Sequence, residues 1–264
     1  MSSGRPEHFN TSNGFLILAN PDRFSHISKR WCFRAKLPPM KLEPNNVVAA
    51  FDLDGTLTKG GSVFKWLRYV AGSVATFRST LWRSGPIAWG ALRSGNAADR
   101  AKESLFHAVL AGRKKNDVEE LSRTFADEHL SNRVRPDVLD RLQWHLKNGH
   151  HVVIVSASPE MYVQKIAGQL GVHSAIGTKL ATDPLDRLTG GYLGKNCRGE
   201  EKLRRLNLWI DQLDLPGDST IFAYGNSRGD RRMLSAATVA VDVGRLGRFG
   251  ALRGFQRLSS LNTP

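Results

Sequence analysis

Two carboxylates, Asp52 and Asp54, stand two residues apart in Phe51-Asp52-Leu53-Asp54-Gly55-Thr56-Leu57, directly after the apolar run Val47-Val48-Ala49-Ala50-Phe51. Such a run reads as a buried strand, so Asp52 falls at the carboxyl edge of a sheet and Gly55 allows the backbone to turn sharply beneath it. Two acids at that edge offer a pocket for a cation. They can also divide a reaction, one attacking an electrophile while the other handles the proton of the leaving group. The same residues are also compatible with a strand followed by an ordinary Asp-Gly turn.

Three further stretches carry chemistry-bearing residues at predicted strand or helix ends. The run His151–Val155 reads as a second buried strand leading into Ser156-Ala157-Ser158-Pro159, with Pro159 beginning a helix. A hydroxyl and free backbone donors there suit a phosphoryl group, although a serine in this position is commonly only a helix cap. Gly199-Glu200-Glu201-Lys202 opens a helix continuing through Leu203, Leu206 and Ile210. It places Lys202 in the first turn, where a cation opposes the helix dipole; a surface lysine is the plain reading, another task the sharper one. Thr220–Tyr224 reads as a third strand, ending in Gly225-Asn226-Ser227-Arg228-Gly229-Asp230, where Asn226 and Asp230 could give oxygen ligands to a hard cation.

Between the first and second strands the hydrophobic period becomes helical. Val63, Trp66, Leu67, Val70, Val74, Phe77 and Leu81 share one face, with Lys65, Arg68, Arg78, Arg83, Phe64 and Trp82 opposite. That mixed basic and aromatic face fits a membrane interface or a solvated face with two aromatics tucked under a neighbour. Further helices are expected over Arg100–Leu110, over Val118–Leu130 with Asp117 and Glu120 as a capping box, and from Pro136 through Lys147, stopped by Gly149. Ala175–Ala181 and Leu188–Leu193 read as a hairpin around Asp183-Pro184-Leu185-Asp186, and Ala237–Val243 as a fourth strand. The resulting division is a basic N-terminal extension over 1–44 without sustained structure, a core over 45–59 and 148–243, a helical insert over 60–147, and a basic amphipathic tail over 244–264. That tail is expected to order only on a partner or on anionic lipid. Met40, just before the first strand, is a candidate start of the chain in the cell.

The 264 residues suffice for one large core or two modest ones, and 41% hydrophobic with 23% charged residues is ordinary for a globular protein. Lys and Arg number 38 against 24 Asp and Glu, a net charge of +14, so polyanions should be attracted: nucleic acid, anionic lipid or phosphorylated substrates. Cys32 and Cys197 alone give neither a disulfide framework nor a metal spacing. No apolar run reaches the length of a membrane span or of a signal-peptide core, so the cytosol is the expected compartment, with peripheral association at the inner face of the membrane a further expectation.

The ordered motifs DLDGT, SASPE, NCRGEEK and AYGNSRGD, with a helical insert after the first, resemble the haloacid dehalogenase (HAD) superfamily. They are similar to its subfamily IB, which includes phosphoserine phosphatases and phosphatidylglycerophosphatase C. The resemblance spans about Val47 to Val243 and implies an α/β fold: a Rossmann-like parallel sheet flanked by helices, with an α-helical cap after the first strand. It further implies a magnesium-dependent phosphomonoesterase. Asp52 would attack phosphorus to form an aspartyl-phosphate; Asp54 would protonate the leaving oxygen and then activate water. Ser156, Ala157 and Lys202 would hold the phosphoryl oxygens, and Asp52, the Asp54 carbonyl, Asn226 and Asp230 would form the Mg2+ site. Asn226 stands where the family has an Asp, leaving one ligand uncharged. No acid occurs between Thr58 and Ser73 to grip a substrate ammonium as in phosphoserine phosphatases. The expected substrate is therefore a membrane-presented lipid phosphate; a soluble metabolite or nucleotide phosphate, or a non-catalytic polyanion-binding role, are the alternatives.

Overall fold

The computed structural model describes residues 46–72, 96–244, 252 and 254–260. The chain divides into two compact units, Met1–Phe33 and Arg34–Pro264, and the described residues all belong to the second. The expectations for residues 1–44, for Met40, and for the helical face beyond Gly72 that includes Trp82 lie outside them.

The apolar run becomes β1 (Val47–Phe51), buried at every position. It lies inside a six-stranded sheet with β2 (His151–Pro159), β3 (Ser174–Thr178), β6 (Thr220–Gly225), β7 (Val239–Asp242) and β8 (Gln256–Arg257), in the order β3-β2-β1-β6-β7-β8. Every pairing in this sheet is parallel. Successive residues of a strand point to opposite faces, so a sheet covered on both sides needs strands apolar throughout. Val47, Ala49 and Phe51 pack into one core cluster and Ala50 into the other. The second cluster is built with Leu206 of helix α6 (Glu200–Asp211) and with Met233 and Leu234 of α7 (Arg231–Ser235).

The register sets the site. Phe51 lies beside Ile154 on one side and Tyr224 on the other. The residues just beyond them, Asp52, Ser156 and Asn226, therefore emerge side by side at the carboxyl edge, where the chain leaves β1 for the insert. Behind that edge Phe51 stacks on Tyr224 with ring centroids 4.3 Å apart. Tyr224 Oη in turn lies 2.8 Å from His145 Nε2 on α4 (Pro136–Lys147), so the strand that ends at Asp52 is braced from beneath.

The cap helices are α1 (Val63–Ala71), α2 (Asn96–Leu110) and α3 (Lys115–Arg133). Trp66, Leu67 and Val70 of α1, Leu105, Phe106 and Val109 of α2, and Val118, Phe125 and Leu130 of α3 join the core cluster beneath one face of the sheet. Helix α3 begins at Lys115 with Lys114 as its cap and no side-chain capping bond, so the expected Asp117–Glu120 box does not form; Asp117 sits in the first turn, where its charge suits the dipole. Helix α4, expected within the cap, packs on the sheet through His145 against Phe51 and Phe222. The chain returns to the core near Val134, which bridges Thr58.

The predicted hairpin is shorter than expected. β4 (Leu180–Thr182) pairs antiparallel with β5 (Leu188–Tyr192), while Ser174–Thr178 joins the main sheet. The segment Ala175–Ala181 is thus split, because its first half continues the parallel ladder beside β2. β2 itself runs past the expected Val155 to Pro159, with an irregularity in its register after Val155, and Pro159 caps α5 (Glu160–Gln169). The hairpin carries Gly190, where φ is +82° and a Cβ would lie 2.2 Å from the α-carbon of His107, so α2 packs directly on its backbone. The tail also departs from expectation where it is described. Gln256–Arg257 extends the sheet beside β7, Arg257 pairs with Asp242 at 2.8 Å, and Phe255 packs against the core. Among the described residues no helix is long and apolar enough to cross a membrane.

Helix α6 is anchored at its first turn by Glu201, which accepts hydrogen bonds from Arg204 Nε at 2.8 Å and Arg205 Nε at 2.7 Å. Arg205 then donates to the carbonyls of Gly177 and Lys195, both at 2.7 Å. The paired hydrogen bonds from Arg204 and the single one from Arg205 hold the Glu201 carboxyl at about 2, below its ordinary 4.5. A carboxylate held down in the fold stabilises above its unfolded pKa, and that contribution fades as pH falls through the folded value. Glu201→Gln should therefore lower the thermal midpoint at pH 7, and the gap to the parent should close between pH 4.5 and 2, as read by calorimetry across that range.

Candidate active site

The side chains expected from the sequence meet at the carboxyl edge of β1. Lys202 Nζ donates to Asp52 Oδ1 at 2.8 Å and to Asp230 Oδ1 at 2.6 Å, and the lysine is 2% exposed. Burial alone would drive its proton off; the two carboxylates outweigh that and raise its pKa above the ordinary value. Two acids share one ammonium, and the imbalance falls on Asp52. Burial first, and the Asp230 charge second, push the Asp52 carboxyl up to about 7 despite Lys202. Asp52 Oδ2 accepts from Thr56 Oγ1 at 2.9 Å, and its backbone N–H bonds to Tyr224 O at 2.9 Å.

Asp54 occupies a different environment. Its Oδ2 accepts a hydrogen bond from Ser158 Oγ, whose hydroxyl lies 3.3 Å from Ser62 Oγ; Ser62 in turn is 2.7 Å from Tyr162 Oη. Asp54 Oδ1 is buried without a hydrogen-bond partner among the described residues. Ser156 is buried and its Oγ accepts from the backbone N–H of Ser158 at 3.1 Å.

The turn after Asp54 is clamped. Gly55 has φ +83°, and a Cβ there would lie 2.0 Å from Asn226 Nδ2, so glycine lets the Asn226 amide tuck against the loop. Arg135 holds the same turn from the far side, donating to Gly55 O at 3.0 Å and to Val243 O at 2.8 Å. On the opposite loop, Asp230 Oδ2 accepts from the N–H groups of Asn226 and Ser227, at 3.2 and 3.0 Å, and from Ser227 Oγ at 2.8 Å.

Those bonds bear on the metal that the fold family uses. Among the described residues no three His, Cys, Asp or Glu side chains converge as a ready-made cage. Asp230, expected as a ligand, has both oxygens engaged, by Lys202 and by its own loop, so it anchors the loop that presents Asn226. Asn226 Oδ1, in contrast, is buried and unpartnered among the described residues. Asp52, Asn226 and the Asp54 backbone thus offer an oxygen-only donor set, which fits a hard cation such as Mg2+.

Ser158 belongs to the SASPE motif, but several residues that it and Asp54 meet have none. Ser62, Ser158 and Tyr162 link the cap helix α1 to Asp54. His129 of α3 is 4% exposed and its Nε2 has no partner among the described residues. It stacks on Phe125 at 5.2 Å, and Phe125 meets Tyr162 at 5.4 Å. Burial holds the His129 pKa below its usual value; the Asp54 charge works against that, and Lys65 and Arg133 add to it. The end of α3 is pinned to the catalytic loop, with Lys59 N–H bonding to Arg133 O at 2.7 Å. The cap thus brings His129 and the cations Lys65 and Arg133 within electrostatic reach of Asp54. Only helical spacing could have pointed to His129, which lies one turn before Arg133 on the same face.

A parallel sheet with paired acids, a serine loop and a buried lysine at its carboxyl edge, with a helical cap after the first strand, is the arrangement of a HAD-type hydrolase. Residues 49–235 match the haloacid dehalogenase-like hydrolase family, and the chain belongs to it. It is 32% identical to protein CicA of Caulobacter vibrioides over 191 residues, 72% of this chain and 83% of that protein. It is 25% identical to a histidinol-phosphatase of Neisseria meningitidis serogroup C, over 74% of this chain and 89% of that one. A substrate-bound phosphoserine phosphatase shares the fold with a TM-score of 0.55 at 14% identity, covering 82% of this chain and 94% of that structure. The chain is a HAD-type phosphatase.

If Asn226 Oδ1 faces the metal, Asn226→Asp adds the missing charge. The magnesium concentration for half-maximal phosphatase rate should then fall severalfold in a titration; an unchanged requirement would remove Asn226 from the ligand set.

Proposed function

We propose that the chain hydrolyses a small phosphate monoester in two steps. The observation that carries this reading is the unequal setting of the two acids, Asp52 tied to Lys202 and Asp54 tied to Ser158. Asp52 attacks phosphorus, the bond to the leaving oxygen breaks, and Asp54 gives that oxygen its proton. In the second step Asp54 takes a proton from water as the water attacks the aspartyl-phosphate, which releases phosphate and restores Asp52. Ser156, the loop at Ala157 and Lys202 hold the phosphoryl oxygens through both steps. Mg2+ held by Asp52, Asn226 and the Asp54 carbonyl would supply charge stabilisation to the phosphoryl oxygens.

The groups facing Asp54 from the cap support a leaving group that itself carries an anion. Residues 59–98 contain no Asp or Glu, and Lys65 and Arg133 lie at the rim with neutral His129 behind them. Small soluble phosphates with a carboxylate or second phosphate fit that setting. The second reading, a lipid phosphate at a membrane surface, is favoured by α1, where Phe64 is 58% exposed beside exposed Lys65 and Arg68. Of other aromatics in the insert and tail, Phe255 is half-buried against the core, and Trp82 and Phe249 lie outside the described residues.

Purified protein with magnesium should release phosphate from an aryl phosphate, and Asp52→Asn should reduce that rate at least about a thousandfold. Across a panel of monoesters of equal size, those with an anionic alcohol portion should show the lowest KM, ahead of neutral and amine-bearing ones, and Lys65→Gln combined with Arg133→Gln should erase the preference. Faster hydrolysis of lipid phosphates in anionic vesicles than of any soluble ester would favour the membrane reading. No release from any substrate would favour a polyanion-binding role, to be checked with phosphate and oligonucleotide.

A further inference from the structure

Lys102, on cap helix α2, is the one cap cation whose ammonium reaches the phosphate-gripping loop among the described contacts. Its Nζ donates to Ala157 O at 2.5 Å and to Asn196 Oδ1 at 3.0 Å, and lies over the rings of Phe106 and Tyr192, 5.4 and 5.8 Å from their centroids. Burial pushes its pKa down to about 8, against the pull of Asp54 and Asp99. Among the described residues no carboxylate hydrogen-bonds it. An apolar side chain between the same two rings would pack without that desolvation penalty, so the charge stands out as having a use beyond packing.

The use follows from the peptide it grips. The carbonyl of Ala157 and the N–H of Ser158 belong to one peptide unit, and that N–H donates to Ser156 Oγ. The hydrogen bonds thus form a chain: Lys102 ammonium, Ala157 carbonyl, Ser158 N–H, Ser156 hydroxyl. A cation on the carbonyl polarises the peptide and strengthens the donation at its other end. Because Ser156 Oγ accepts that bond, its own proton is free to be donated elsewhere. The same stretch carries Ser158 Oγ, which bonds Asp54.

Proton accounting makes the lysine hard to replace. Thr178 Oγ1 also lies within bonding distance of Ala157 O, at 2.7 Å, and of Asn196 Oδ1, at 2.8 Å. A hydroxyl has one proton and can serve only one of them at a time. The three protons of Lys102 serve both. Asn196 is itself tied back to α2 by its Nδ2, which donates to Asp99 Oδ1 at 2.7 Å, and it precedes the turn that opens α6 and presents Lys202.

We propose that Lys102 is a positioning residue: docked with the cap, it fixes the Ala157–Ser158 peptide so that Ser156 turns its hydroxyl toward the phosphoryl group, making the phosphate grip of the core depend on cap closure. This inference rests on the phosphatase reading above.

The test compares the parent with Lys102→Met, Lys102→Arg and Lys102→Ala, using an aryl phosphate with magnesium for turnover and inorganic phosphate for affinity. Lys102→Met should lower kcat by about 10- to 100-fold, the usual range for a residue acting through a ligand-holding group, and weaken phosphate binding severalfold, while the thermal midpoint stays the same or rises. Lys102→Arg should recover much of the rate. Ethylamine should restore activity to Lys102→Ala, reaching the gap from the cleft of about 1010 Å³ lined by Asp99, Tyr192 and Asn196. A Lys102→Met protein with kcat and phosphate affinity within twofold of the parent overturns the proposal. If that variant instead melts early, failure of ethylamine to rescue Lys102→Ala overturns it. Should the parent turn over no substrate, the phosphatase reading falls, and the phosphate-affinity comparison still decides the role of Lys102.

Discussion

The ammonium of Lys202 lies between Asp52 and Asp230 in a place nearly closed to water, and removing it would leave two buried carboxylates without a counter-charge. Such an arrangement is tolerated only when every remaining lone pair and proton has a partner. That requirement explains the surrounding construction. The first turn of α6 is locked by the Glu201 forks so that Lys202 arrives in place, and Asp230 is wrapped by the N–H groups of its own loop. Asp52 is held from the side by Thr56 and from the backbone by Tyr224. The charge still does not balance, since two carboxylates face one cation. The residual negative charge and the unpartnered amide oxygen of Asn226 are what a divalent cation would complete.

The cap acts on this centre through three separate routes. Ser62 of the α1 cap position reaches Ser158 and through it Asp54. The end of α3 is bonded to the loop after the catalytic turn and brings His129 and Arg133 with it. Helix α2 reaches the serine loop with Lys102. Two of these routes converge on Asp54 and the third on the serine loop, so the insert shapes the site as well as covering it. In the proposed reaction the core would contribute the groups that handle the phosphoryl group, and the cap those that meet the leaving group.

Much of this was legible from spacing. An apolar run ending in two acids placed β1 and the turn at Gly55, and helical periodicity placed α1, α2 and α4 with Trp66, Leu105 and the Pro136 start. Lys202 stood out because a lysine in a first turn opposes the dipole, and its two carboxylate partners supply the reason. The misses have specific causes. Asp117 and Glu120 have the right spacing for a capping box, but α3 starts two residues earlier. The Arg-rich tail breaks helical periodicity, yet Gln256–Arg257 adds to a sheet whose edge at β7 was open, and Asp242 takes up Arg257. The partners of the Asp230 carboxylate, Lys202 and its own loop, are ones that no local pattern reveals.

The sequence by itself determined which residues end the strands, because burial of a strand forces an unbroken apolar run and the first polar residue after it must sit at the edge. It also determined the family, since four short motifs recur in order. The tertiary structure alone decided which of these groups meet and what each is free to do. Lys202 lies 150 residues from Asp52, and Lys102 lies 55 residues from Ala157. Contacts across such separations are set by parallel register and by the docking of cap on core, and the shared protons and unpartnered oxygens that define the chemistry exist only once those surfaces have closed.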